Sequence, residues 1–129
     1  MGSEQTIFRI ANKPLRFRGL LLGSSSICDE DDTGAYTRVR LFKSDGGSYI
    51  WAWDLSWSDE PEDDEELMRA DARVVDAKAE PATPAGLAQL AWEKRPRENA
   101  RLTEASTRAF HAAADTDAAI AGILYERVE

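Results

Sequence analysis

The stretch Tyr36-Thr37-Arg38-Val39-Arg40-Leu41-Phe42-Lys43-Ser44-Asp45-Gly46-Gly47-Ser48-Tyr49-Ile50-Trp51-Ala52-Trp53-Asp54-Leu55-Ser56-Trp57 decides the fold. Tyr36 to Lys43 alternates in the period of two that belongs to a half-buried strand. Ser44-Asp45-Gly46-Gly47 follows, and Asp-Gly tolerates the positive φ of a tight turn. Ser48 to Trp57 then returns as a second strand. The pattern predicts an antiparallel hairpin over 36–57. One of its faces carries Val39, Leu41, Tyr49, Trp51, Trp53, Leu55 and Trp57, and the other carries Tyr36, Arg38, Arg40, Phe42, Ile50, Ala52 and Asp54.

Upstream, Leu15 to Leu22 reads as a strand bounded by Pro14 and by the turn-like cluster Gly23-Ser24-Ser25-Ser26. Ile7 to Ile10 reads as a short fourth strand, and Cys28 to Gly34 as an acidic loop. Aligning Arg16 and Arg18 with the hairpin's arginines gives one sheet face with Arg16, Arg18, Arg38 and Arg40. Downstream, Thr83-Pro84 is a helix cap followed by an N1 proline. Pro96 opens a longer helix whose Leu102, Ala105, Ala109, Phe110 and Ala113 form one buried stripe. Asp115-Thr116-Asp117 recaps a last helix carrying Ile120, Ile123, Leu124 and Val128 to the C-terminus. The expectation is a single α+β domain over 1–129. Its antiparallel meander of three to four strands fills 6–57, an acidic segment fills 58–80, and helices over 84–128 pack on one sheet face. Within the acidic segment, Pro61 and its neighbouring acids suit the start of a helix over about 61–70. Ala72 to Lys78 either continues it or forms a short strand around Val74-Val75.

The chain has 129 residues, 43% of them hydrophobic, a formal net charge of −8 and a mean hydropathy of −0.48. No apolar run approaches the ~18 residues that cross a bilayer, and the first residues lack the basic and apolar regions of a secretory leader. A lone cysteine, Cys28, makes no internal disulfide and anchors no thiolate zinc site, which favours a reducing, cytoplasmic setting. The acids after Cys28 repel the thiolate that a nucleophile needs. His111, the only histidine, has no serine or cysteine motif to serve, and neither a P-loop nor a dinucleotide-binding glycine pattern occurs. Runs of adjacent acids, 29–32 and 62–66, point in all directions, whereas carboxylate catalysis needs a few acids held rigidly. No catalytic residue, metal ligand or cofactor is expected, and a carboxylate-based enzyme is the remote alternative.

Charge is concentrated. Residues 58–80 hold ten acids and three bases, while the remainder is nearly balanced. A net-acidic chain is a poor non-specific ligand for nucleic acid, because phosphate contacts need clustered Lys and Arg. The leading candidate site is therefore acidic: Trp57, Asp59, Glu60, Glu62, Asp63, Asp64, Glu65 and Glu66, offered to a basic partner protein, itself a nucleic-acid-binding effector. The alternative is a single-stranded nucleic acid platform on Arg16, Arg18, Arg38 and Arg40. The stripe Tyr49, Trp51 and Trp53 has two readings, core beneath the helices or exposed stacking surface. An uncovered apolar face is most easily hidden in a homodimer.

Phe17-Arg18-Gly19-Leu20-Leu21 together with Tyr36 to Tyr49 resembles a strand-and-hairpin pattern, F-x-G-x-L-L and R-L-Y-x-T-x-G-G-x-Y, of uncharacterised small bacterial proteins. The likeness covers about a third of the chain. Such proteins occur on plasmids, prophages and similar elements. The resemblance thus implies a regulator or a host-defence inhibitor, of anti-CRISPR or immunity type, and transfers no catalytic residue. Trp51-Ala52-Trp53 and the acidic segment depart from that pattern.

Overall fold

The structure, a computed structural model, describes residues 2–29, 34–58, 60–61, 66–76 and 82–125. Five strands, β1 (Ser3–Ile7), β2 (Leu15–Cys28), β3 (Tyr36–Ser44), β4 (Tyr49–Ser56) and β5 (Leu67–Val75), form one antiparallel sheet in sequence order. Three helices follow: α1 (Pro84–Ala91), α2 (Pro96–Ala114) and α3 (Ala118–Leu124). The hairpin is in the expected register, with Lys43 opposite Tyr49 and Val39 opposite Trp53. Gly47 takes the positive φ of the turn, at 93°. The turn is stitched to the start of the chain, since Asp45 Oδ1 accepts from Gly2 N at 2.9 Å and Asp45 N donates to Arg18 O at 2.8 Å.

Four expectations change. The first strand runs over Ser3–Ile7 rather than Ile7 to Ile10, because it is Ser3 to Ile7 that pair with Leu15 to Gly19 of β2. The sheet has five strands, not three or four, and the helix expected over about 61–70 gives way to β5 from Leu67 onward. Buried Ala70, Ala72 and Val75, with β4 alongside, favour strand over helix; an isolated helix of that length is marginal without a packed face. Gly23 to Ser26 is not a turn but the far half of β2, which runs fourteen residues. Its register shifts between Leu21 and Gly23, so that Leu22 is an extra residue in a bulge, the device that lets a long strand bend.

The helices cover the face that carries Val39, Leu41, Tyr49, Trp51 and Trp53, and the buried stripe of α2 is the expected one. This covering removes the reason for a second copy to hide that face. Trp51 Nε1 donates to Ser106 Oγ of α2 at 3.0 Å, which satisfies the indole inside the core. Thr83 Oγ1 caps α1 by accepting from Gly86 N, and Asp117 caps α3 by accepting from Ile120 N. The opposite, concave face holds a smaller core of Ile7, Phe42, Ile50, Ala52 and Ala72, with Phe17 edge-on to Phe42 at 5.4 Å. The sheet curls around this second core. The segment after β1 reaches across to β5, where Ile10 N donates to Ala70 O at 3.0 Å. Among the described residues no helix is long and apolar enough to cross a membrane.

Candidate functional site

The tryptophan stripe divides. Tyr49, Trp51 and Trp53 are buried between sheet and helices. Trp57, in the same alternation, lies past the end of β4 and is 62% exposed. A serine-built turn directs the chain there. Ser56, fully buried, donates from Oγ to Ser58 O at 2.6 Å, and Glu60 N donates to Ser58 Oγ at 3.3 Å. Glu60 and Glu66 of the acidic candidate set are exposed. Asp59, Glu62, Asp63, Asp64 and Glu65 lie outside the described residues.

The four arginines do not share a face. Leu21 lies opposite Phe42, so Phe17 and Leu21 belong to the concave side, and Arg16 and Arg18 point to the other. The apolar set won the concave side because it packs under Phe42, and alternation alone cannot say which set of β2 does so. Arg16 pairs with Glu4 at 3.8 Å and Arg18 with Asp45 at 3.9 Å. These are exposed pairs of small energetic weight. Arg38 and Arg40 do remain together. Beyond the bulge the parity of β2 reverses, which sets Ser26 opposite Arg38 and Ser24 opposite Arg40.

Asp54, directly across from Arg38 on β4 and only 2% exposed, organises this end of the concave face. Its Oδ2 accepts from Arg38 Nε at 3.0 Å and Nη2 at 2.7 Å, and Arg40 Nη2 stands 3.8 Å away. Its Oδ1 has no hydrogen-bond partner among the described residues. The resulting groove, about 590 Å3, is lined by Leu21, Ser24, Ser26, Arg38, Arg40 and Glu60. The glutamate brings the edge of the acidic segment to the basic site.

A second polar cluster is structural. Tyr49 Oη donates to both oxygens of Asp117, at 2.8 and 3.0 Å, and Lys43 Nζ approaches at 3.3 Å. Burial opposes charge on Asp117, but the Ile120 N–H, the Tyr49 hydroxyl and Lys43 outweigh it and hold the carboxyl below its ordinary value. The bond to Asp117 raises Lys43 in turn, and burial raises Tyr49. Among the described residues, Cys28 Sγ makes only a long contact to Gly34 O, at 3.6 Å. His111, exposed on α2, meets the Tyr125 hydroxyl at 2.8 Å.

Comparison of the chain with protein-family models, with curated proteins and with solved structures gives no match. Sequence reasoning had placed Asp54 on the arginine side of the sheet without giving it a role. The signal was an acid in an otherwise apolar strand, facing a basic neighbour.

Proposed function

We propose that this chain is a non-enzymatic, cytoplasmic interaction protein that binds a basic, nucleic-acid-binding partner protein and inhibits or regulates it. The observation that carries this reading is Trp57: a tryptophan 62% exposed, at the threshold of the most acidic stretch of the chain. Large exposed rings beside charged rims are what interface anchors look like, and Trp is enriched among them. The acids supply steering toward a basic surface. The same reading fits the resemblance to mobile-element regulators and inhibitors.

A narrower alternative, single-stranded nucleic acid on the sheet, is favoured by the open groove at Arg38 and Arg40. With Arg16 and Arg18 on the far side and Glu60 at its rim, that groove engages at most one or two phosphates.

One experiment separates the two. The wild type and the variant carrying Asp63→Lys, Asp64→Lys, Glu65→Lys and Glu66→Lys are used as bait in lysate, with and without nuclease, and the captured partner is then titrated. The expected outcome is a basic protein held by the wild type after nuclease treatment. The charge-reversed variant and Trp57→Ala each bind it at least tenfold more weakly, a loss of about 1.4 kcal/mol. Capture that vanishes with nuclease and ignores the charge reversal would move the site to Arg38 and Arg40.

A further inference from the structure

β2 is longer than the strand that shields it. β1 pairs with Leu15 to Gly19 and goes no further, since Ser3 stands opposite Gly19. β2 runs on to Cys28, held on its other side by β3. Among the described residues, none outside β3 hydrogen-bonds the backbone of 20–27. Leu20 and Leu21 are 53% and 50% exposed at the start of this open rim, and Ser24 and Ser26 are exposed along it. The acidic-surface reading makes no use of it.

Open rims are ordinarily guarded by charge, by proline or by a covering segment. The β5 rim is covered, with Ile10 N on Ala70 O and Arg9 on Ala72 O. β1 is short and carries Glu4. Residues 20–28 hold no Asp, Glu, Lys, Arg or Pro, in a chain of net charge −8. The bulge at Leu22 is their one guard, and it leaves Gly23 to Cys28 in regular register. Two copies that meet along this rim therefore oppose no like charges in the strands that touch, which the acidic segment would forbid.

We propose that this rim binds a second copy of itself, β2 against β2 antiparallel, about a two-fold axis at Ser25. The vacancy and the strand that fills it are then the same segment, as an isologous interface requires. Around Ser25, Ser24 faces Ser26 and Gly23 faces Ile27; with Leu22 in its bulge, exposed Leu21 faces Cys28. Each of these pairs joins residues from one side of the sheet, because Leu21, Ser24, Ser26 and Cys28 lie opposite Phe42, Arg40, Arg38 and Tyr36, and Gly23, Ser25 and Ile27 opposite Leu41, Val39 and Thr37. An axis at Ser24 would instead drive a second copy's Cys28 to the place opposite Gly19 that Ser3 holds. The axis at Ser25 avoids this, since β2 ends at Cys28 and the chain turns back at Asp29, whose N donates to Ala35 O at 2.7 Å. Pairing consumes the uncharged rim of both copies while the β5 rim stays covered, so assembly closes at two.

Sedimentation equilibrium of the full chain from about 1 μM to about 1 mM, in ~0.05 M and ~0.5 M salt, reads the assembly directly. The expected mass rises from one chain to two and no further. Association tightens at high salt, because screening weakens the repulsion between two chains of charge −8. Binding of a basic partner weakens with salt instead, so the dimer and the acidic-surface reading fail separately. Ser24→Lys with Ser26→Lys sets like charges opposite each other across the axis and weakens association at least tenfold. Both positions are exposed, and circular dichroism and urea unfolding matching wild type show that the fold is kept. In a Cys28→Ser background, Ser25→Cys faces its own copy and gives a disulfide-linked dimer under a mild oxidant, whereas Ser48→Cys in the hairpin turn does not. A one-chain mass under every condition overturns the proposal, as does growth past two chains. So does association indifferent to the lysine pair, or equal cross-linking by Ser25→Cys and Ser48→Cys.

Discussion

Asp54 shows how one residue sets the character of a surface. It is a carboxylate at 2% exposure in a strand otherwise made of Tyr, Ile, Trp, Ala, Leu and a terminal Ser, and its charge is tolerable only because Arg38 grips one oxygen twice. Taking away one partner of such a pair costs more than taking away both. Asp54→Ala is expected to destabilise the fold by about 3 kcal/mol in urea unfolding, because Arg38 is left charged and half-buried. The double variant Arg38→Met, Asp54→Leu should recover most of that loss. If the single and double variants unfold together, the pair contributes nothing to the fold beyond its volume.

Among the elements, β2 is the one whose geometry departs furthest from a simple reading. Its bulge at Leu22 lets the first half turn Phe17 and Leu21 inward and the second half turn Ser24 and Ser26 inward. Gly23, at the hinge, lies directly beneath α2. A Cβ there would stand 2.3 Å from Ala109 O and 2.9 Å from Ala113 N, both backbone atoms. Replacing glycine by alanine inside a strand ordinarily gains about 0.5–1 kcal/mol. Here Gly23→Ala is expected to lose about 2 kcal/mol instead, since helix and strand must separate. A thermal unfolding midpoint equal to or above that of wild type would show that α2 yields without cost. The same element marks the limit of what the sequence discloses. The hairpin, the Thr83 and Asp117 caps and the stripe on α2 were legible because turn chemistry, caps and periodicity are local. The side of the sheet taken by Arg16 and Arg18 was not, because it is fixed by which of two alternating sets packs under Phe42. Nor was β5 fully legible. Val74-Val75 hinted at a strand, but the acids preceding Leu67 suit a helix start equally well, and the arbiter was pairing with β4. Of the eight residues in the acidic candidate set, five lie outside the described residues, and what the fold adds is the exposure of the other three, Trp57, Glu60 and Glu66.

For the molecule as a whole, sheet and helices are tied by the cluster of Tyr49, Lys43 and Asp117, which joins β3 and β4 to the start of α3. A carboxyl held below its ordinary value in the folded chain contributes stability above its unfolded value, about 3.9. That contribution is lost as pH falls through the lower folded value. Urea unfolding from about pH 5 to pH 2 should therefore show a loss of stability on acidification that is smaller in Asp117→Asn, the variant starting from a lower plateau. An unchanged slope in the variant would assign the acid sensitivity to other carboxylates. The net charge of −8 acts in the opposite sense over the same range, since protonation relieves self-repulsion. The difference between the two proteins, not either curve alone, is thus the informative quantity.

The bond from Ile10 to Ala70 has a consequence for how copies of this chain behave in a crowd. An open sheet normally ends in two rows of unpaired amides and carbonyls that recruit neighbouring chains into fibrils. Here the chain leaving β1 lies against the outer side of β5, with Arg9 occupying the next carbonyl along, at Ala72. One of the two rims on which a foreign strand would nucleate is thereby sealed from within by the first dozen residues, and an N-terminal truncation that spares every residue of the hydrophobic cores except Ile7 would still uncover it.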